Sequence, residues 1–193
     1  MLLRLWPPIA LAAMVALRWA VGKGSTPVDD WFHQHGHGPA RYLLFFTDPR
    51  VLAVLVAGTL VVAIYHRQWR FAAVAAVSPL VAMALPQLLK PLLARQSGQS
   101  FAYPSGHTTT MVVVLGTLVL ATGVALWAVL VAIPFGLLGM IGQGVTYHYF
   151  TDTVGGVLLG TAIVCVAALT LGRAPQPNLT RVNPDAICVT AGG

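Results

Sequence analysis

Glutamate is absent from the 193 residues, and charge of either sign is scarce: 8% of the chain, from five aspartates and eleven lysines and arginines. Soluble domains carry about 25% charged residues. A chain that is 57% apolar cannot cover itself with a polar surface, so a lipid boundary is expected. Helices in water use Glu–Lys pairs along their outer faces, and a chain without Glu cannot build them. Two cysteines, Cys165 and Cys188, are too few for a disulfide framework, and Cys165 lies in an apolar run, where it reads as packing. Clustered positive charge is missing too. The net charge of +6 is spread singly along apolar segments, which argues against a nucleic-acid partner and for basic span ends. Strand-period alternation is also lacking, which argues against a barrel.

What the chain does have is long apolar runs. About 20 apolar residues in helix cross the hydrocarbon, and such runs place spans at 3–21, 51–65, 71–89, 106–121, 124–145 and 153–171. The second is short and extends back toward 42–46; Thr122-Gly123 divides the fourth from the fifth. The expected fold class is all-α: a polytopic bundle of six transmembrane helices over 1–171, with a short polar tail at 172–193. Arg4 ahead of an apolar stretch imitates a signal peptide, but no small-x-small cleavage site follows, so the segment reads as a retained first span. Ala, Gly and Val crowd the spans, as where membrane helices pack closely. Six crossings place both termini on one side and three loops, 22–41, 91–104 and the turn at His148, on the other.

Ionisable groups at membrane depth are expensive and mark function. Three clusters fall at that loop side: Lys90 with Arg95, Pro104-Ser105-Gly106-His107, and His148-Tyr149-Phe150-Thr151-Asp152. His148 and Asp152, four apart, stack on one face of a helix. A carboxylate bonded to one ring nitrogen fixes the tautomer and leaves the other nitrogen nucleophilic. Ser105, Gly106 and His107 open a helix whose unpaired amides favour anions. There the Ser hydroxyl and a close-approaching Gly suit phosphate oxygens, and His107 is placed to protonate a departing oxygen. Lys90 and Arg95 supply positive charge for a transition state with spread negative charge. The set describes phosphoryl transfer to histidine, with neither metal nor cofactor.

These three clusters, in this order and with Gly156 following, resemble the signatures of the type 2 phosphatidic acid phosphatase (PAP2) superfamily, and the likeness extends over most of 71–171. The resemblance implies a six-helix fold, His148 as nucleophile, Asp152 as its orienter and His107 as general acid. It gives Ser105, Lys90 and Arg95 to the phosphate. Members dephosphorylate phosphatidic acid, phosphatidylglycerol phosphate, isoprenoid phosphates or related lipids. Two motif arginines are absent. The first signature has a further Arg-Pro beginning seven residues after the Lys, where this chain has Ser97-Gly98. The third has Ser-Arg with the Arg six residues before the nucleophile, where this chain has Ile141-Gly142, with Gln143 one step on. Each charge-assisted bond lost is worth roughly 1.5–3 kcal/mol. Gln96, Gln99, Gln143 and Thr108–Thr110 are the neutral donors at hand.

Each cluster also has a plainer reading: a helix-capping Asp beside an interfacial His, a snorkelling Lys and Arg, an N-cap Ser. His33, His35 and His37 could ligate zinc or copper, but no Cys or Glu completes a shell, and loop polarity is the better reading. His66 with Arg67 and Arg70 resembles an anchoring loop near anionic headgroups. The expectation is a membrane enzyme on a lipid phosphate, an isoprenoid phosphate favoured because an Ala/Val/Arg-rich, Lys-poor composition suits a high-GC bacterium. Setting Lys90 and Arg95 aside tips the basic count toward termini inside, which puts the active site on the outer side of a bacterial plasma membrane. The alternatives are a relative that binds lipid phosphate or a partner without turnover, and a transporter, for which no discontinuous repeated half-helices are evident.

Overall fold

Hydrocarbon offers backbone amides no partner, so apolar segments satisfy them within helices, and helices make up almost all of the structure. The computed structural model describes residues 2–35, 38–97 and 100–172. Most of the expected tail, with Cys188, lies outside the described residues, as do His37, Gly98 and Gln99. The elements are α1 (Leu2–Val21), α2 (Pro27–Gln34), a 3-10 segment (Pro39–Thr47), α3 (Pro49–Tyr65), α4 (Trp69–Leu93), α5 (Gly106–Ala121), α6 (Leu126–Thr146) and α7 (Phe150–Thr170). Between α4 and α5 the two-residue strands β1 (Gln96–Ser97) and β2 (Ser100–Phe101) pair antiparallel.

Among the described residues five segments are long and apolar enough to cross a membrane: α1, the 3-10 segment with α3, α4, α6 and α7. This is an integral membrane protein. α5 has 16 residues and rises about 24 Å, less than a hydrocarbon core of about 30 Å. The expected count of six is therefore not exact. Two further departures concern the second half of the loop at 22–41 and the start of the second span. The loop holds α2, and the short second span begins at Pro49, capped by Asp48, with the 3-10 segment leading into it.

α7 lies at the centre, against α1, α4, α5 and α6. Its closeness to α5 depends on missing side chains. A Cβ on Gly156 would sit 2.7 Å from the Ser105 carbonyl oxygen, and one on Gly160 2.8 Å from Val112 Cβ, as at small-residue membrane interfaces. At one end of the bundle Met14, Tyr103 and Leu159 form a buried cluster; at the other, Ala63, Phe71, Ala75, Leu120 and Ala167 do. Val54, Leu80 and Leu130 point outward, as a lipid-facing surface requires.

Candidate active site

Helix ends build this site, and each is set by local chemistry. Lys90 lies half-buried in the last turn of α4. Beyond it the chain turns at Ala94 in the left-handed region (φ 46°). Arg18 of α1 donates to the Leu93 and Ala94 carbonyls at this end, a cation placed where helix carbonyls lack partners. α5 starts on Ser105, whose Oγ accepts from the Thr108 amide (3.5 Å) and hydroxyl (3.2 Å). The Ser105 amide donates to the Asp152 carbonyl at 3.1 Å, fixing the first turn of α5 on that of α7.

His107, exposed in the first turn of α5, and His148 face each other with ring centroids 6.3 Å apart and planes tilted by 51°. Lys90 acts electrostatically on both rings and on Asp152. The clusters at 90, 105–107 and 148–152 therefore converge on one end of the bundle. His148 is not on the helix with Asp152, contrary to expectation. It sits in the turn before α7, whose N-cap is Tyr149, and its amide caps α6 by donating to the Gln143 carbonyl at 3.0 Å. Burial, with His107 and Lys90 facing it, pushes His148 down to about 4. The His148–Asp152 hydrogen bond is not made: His148 Nδ1 and Asp152 Oδ2 are both buried and both without a partner. With Nδ1 sealed off, Nε2 is the nitrogen left to the site.

Arg95 departs furthest from the sequence reading. The guanidinium is fully buried. Its Nη1 donates to Thr151 Oγ1 (2.6 Å) and Asp152 Oδ1 (2.7 Å), and its Nη2 to the Gly24 carbonyl (2.8 Å) and Asp29 Oδ2 (2.9 Å). It lies 4.6 Å over the Tyr149 ring. An Arg has four Nη hydrogens, and all are committed to protein. Only its Nε, buried and without a partner, is left uncommitted.

The positions of the absent arginines are filled. Ser97 pairs with Ser100 in the hairpin, and Gly142 is pressed on the 3-10 segment, where a Cβ would lie 2.7 Å from the Leu43 carbonyl carbon. Of the neutral donors, Gln143 gives Nε2 to Thr47 Oγ1 at 2.7 Å. The hydroxyls of Thr108, Thr109 and Thr110 turn to Ser105 or to nearby carbonyls. His35 bonds and stacks on Trp31, and His33 meets the edge of Tyr149.

Sequence reasoning missed α2 and Asp29. The signal for the helix is Thr26-Pro27-Val28-Asp29, a capping box with Pro at the first helical position, and both reciprocal bonds form. That Asp29 also reaches Arg95 and Thr151 has no local signature. Burial pulls its carboxyl up, but bonds from the Thr151 and Thr26 amides and hydroxyls outweigh this and hold it below the usual carboxylate range. The guanidinium 2.9 Å away acts in the same direction.

A helical membrane bundle with imidazoles, a lysine and a capped amide turn gathered at one end defines a protein of membrane phosphatase type. Residues 80–175 match the family model of the PAP2 superfamily, and over this segment the chain is similar to that superfamily. Its members are generally phosphatases acting on lipid phosphates, so the chain has a phosphoester hydrolase's fold. No curated protein and no solved structure matches the chain.

Proposed function

We propose that this protein hydrolyses a lipid monophosphate through a phosphohistidine on His148, without a metal. The observation that carries the reading is the facing pair of imidazoles, 6.3 Å between centroids, with Lys90 beside them. Reacting atoms stand about 3–3.5 Å apart and a general acid about 2.6–3.2 Å from its oxygen, so a phosphoryl group shared by two rings needs a separation of this order. His148 Nε2 donates its lone pair to phosphorus as the bond to the lipid oxygen breaks, and His107, entering protonated, gives that oxygen its proton. Water then attacks the phosphohistidine, losing a proton to His107. The P–N bond breaks, and phosphate leaves with His148 neutral again. Lys90 Nζ, the Ser105 turn and the amides beyond Gly106 hold the phosphate oxygens, and Asp152 stands behind His148. With Arg95 engaged and two arginines absent, Lys90 is the main cation for the anion, which favours a monophosphate over a diphosphate. Isoprenoid phosphate is the preferred class, ahead of phosphatidic acid and phosphatidylglycerol phosphate, and the outer face of a bacterial plasma membrane is the preferred place.

The same shortage of cations favours a second reading, a protein that binds lipid phosphate without turnover. Phosphate release by purified protein in detergent, over a panel of these lipids, separates the two. The expected result is release by the wild type, loss of it in His148→Ala, and a fall of about 10²–10⁴-fold in His107→Ala. Equal release by the wild type and His148→Ala removes the enzyme reading.

A further inference from the structure

Asp29 belongs to none of the three motif clusters and lies outside residues 80–175, yet it is fully buried. Its Oδ1 accepts from the Thr151 amide and hydroxyl, both at 2.9 Å, and its Oδ2 from Arg95 Nη2, the Thr26 amide and the Thr26 hydroxyl, all at 2.9 Å. Capping α2 needs only the Thr26 bonds. The other three run to the arginine that holds Asp152 and to the residue before Asp152. We propose that Asp29 is a positioning residue for the phosphoryl transfer: through Arg95 and Thr151 it sets the placement and net charge of Asp152 behind His148. The proposal rests on the phosphohistidine reading above.

The chemistry follows from sharing. One guanidinium charge lies between two fully buried carboxylates, Nη2 on Asp29 and Nη1 on Asp152, so the cluster Asp29–Arg95–Asp152 carries a net charge of minus one. Asp152 is therefore only partly neutralised. Its Oδ2 has no partner, and His148 Nδ1 has none either. A carboxylate that keeps negative charge is what an imidazole needs as it turns cationic on phosphorylation. The groups acting on His148 are Lys90 from α4 and His107 from α5; Asp152, four residues on, is the nearest carboxylate in sequence and carries the Arg95–Asp29 pair. The Tyr149 phenol stands next in its own turn, His33 of α2 lies against that ring, and α6 meets His148 through the Gln143 carbonyl. No other acidic group lies within this turn and the first turn of α7. Without the charge on Asp29, Arg95 neutralises Asp152 outright and His148 is left facing cations. The Thr151 amide, one of the orphan donors of a helix start, would keep only a neutral acceptor.

The full chain in detergent tests this, with farnesyl monophosphate or phosphatidic acid as substrate, whichever the wild type hydrolyses faster. Asp29→Asn is expected to lower kcat about 10- to 100-fold with KM within about threefold. The acid limb of kcat/KM moves to lower pH, because losing a negative neighbour disfavours protonated His148. Thr26→Ala removes the α2 cap and one hydroxyl bond to Asp29 but leaves the charge of Asp29 in place, and kcat stays within about threefold. Wild-type kcat in Asp29→Asn overturns the proposal, as does an equal loss in Thr26→Ala. Should Asp29→Asn give no monodisperse protein, Thr151→Val removes only the hydroxyl between Asp29 and Arg95. A lower kcat at unchanged KM supports the proposal there, and an unchanged kcat overturns it. Normal Asp29→Asn beside dead His148→Ala sinks this inference only, whereas a wild type without turnover removes the phosphohistidine reading and this inference together.

Discussion

Gly106 stands in the motif beside two glycines of α7 that serve a different purpose. A Cβ on Gly155 would meet the Tyr103 ring at 2.5 Å and one on Gly156 the Ser105 carbonyl at 2.7 Å, so packing requires both glycines. A Cβ on Gly106 finds its nearest atoms, in Gln87 and Pro86, at 3.8 Å, an ordinary contact, and its φ is not in the left-handed region. Packing therefore leaves room for alanine, and the remaining reason for glycine is close approach of an anion to the first amides of α5. Gly106→Ala is expected to melt at or slightly above the wild-type temperature, since Ala favours helix. It should also raise KM for the lipid phosphate by about tenfold, a loss of about 1.4 kcal/mol of binding. A melting curve in detergent and a KM measurement check both, and an unchanged KM would remove the anion-site role. At this scale the motif spacing located residues that the fold gathers at one helix end. It did not say what each would touch. Arg95 reads as a phosphate ligand from its place after Lys90 because its carboxylates arrive from α2 and α7, 66 and 57 positions away in sequence.

Between elements, the α6 face toward the 3-10 segment explains an absence. Where the superfamily's third signature has Arg, Gly142 lets the backbone of Leu43 reach α6, and Gly139 makes room for Met111 and Thr47 on the same face. Gln143 locks the contact through Thr47. A methyl at 142 would overlap backbone, which cannot rotate away. Gly142→Ala should therefore destabilise the protein by about 1–3 kcal/mol, and Gly142→Arg should fail to strengthen phosphate binding. Thermal unfolding in detergent reads the first; a wild-type midpoint would mean that the 3-10 segment yields easily and the packing account is wrong. The long helices were legible because apolar runs dominate them, and their ends lie within a few residues of the expected ones. α2 was not, because an eight-residue helix has too few turns for a periodic signal. The 3-10 segment was legible only as an apolar extension toward 42–46, since its turn type follows from docking on α6.

The whole molecule carries its charge unevenly, and this bears on orientation. The end opposite the site holds Arg4, Arg67 and Arg70 among the described residues. At the site end Arg95 is paired with Asp29 and Asp152, Arg18 is spent on α4 carbonyls, and Lys90 faces the imidazoles. The loops there keep Lys23, Arg41 and Arg50. Basic residues in short loops favour the cytoplasmic side, and the orientation proposed above, with the site on the outer side, has a direct test. Alternating crossings put Ser25, before α2, and His66, between α3 and α4, on opposite sides, and both are exposed. In a chain with Cys165 and Cys188 replaced by serine, a membrane-impermeant maleimide on intact cells is expected to label Ser25→Cys at once and His66→Cys only after permeabilisation. The reverse pattern would turn the protein over and move the reaction to the cytoplasmic leaflet. Labelling of both on intact cells would mean that the 3-10 segment with α3 does not cross, and that the two ends of the bundle share a compartment.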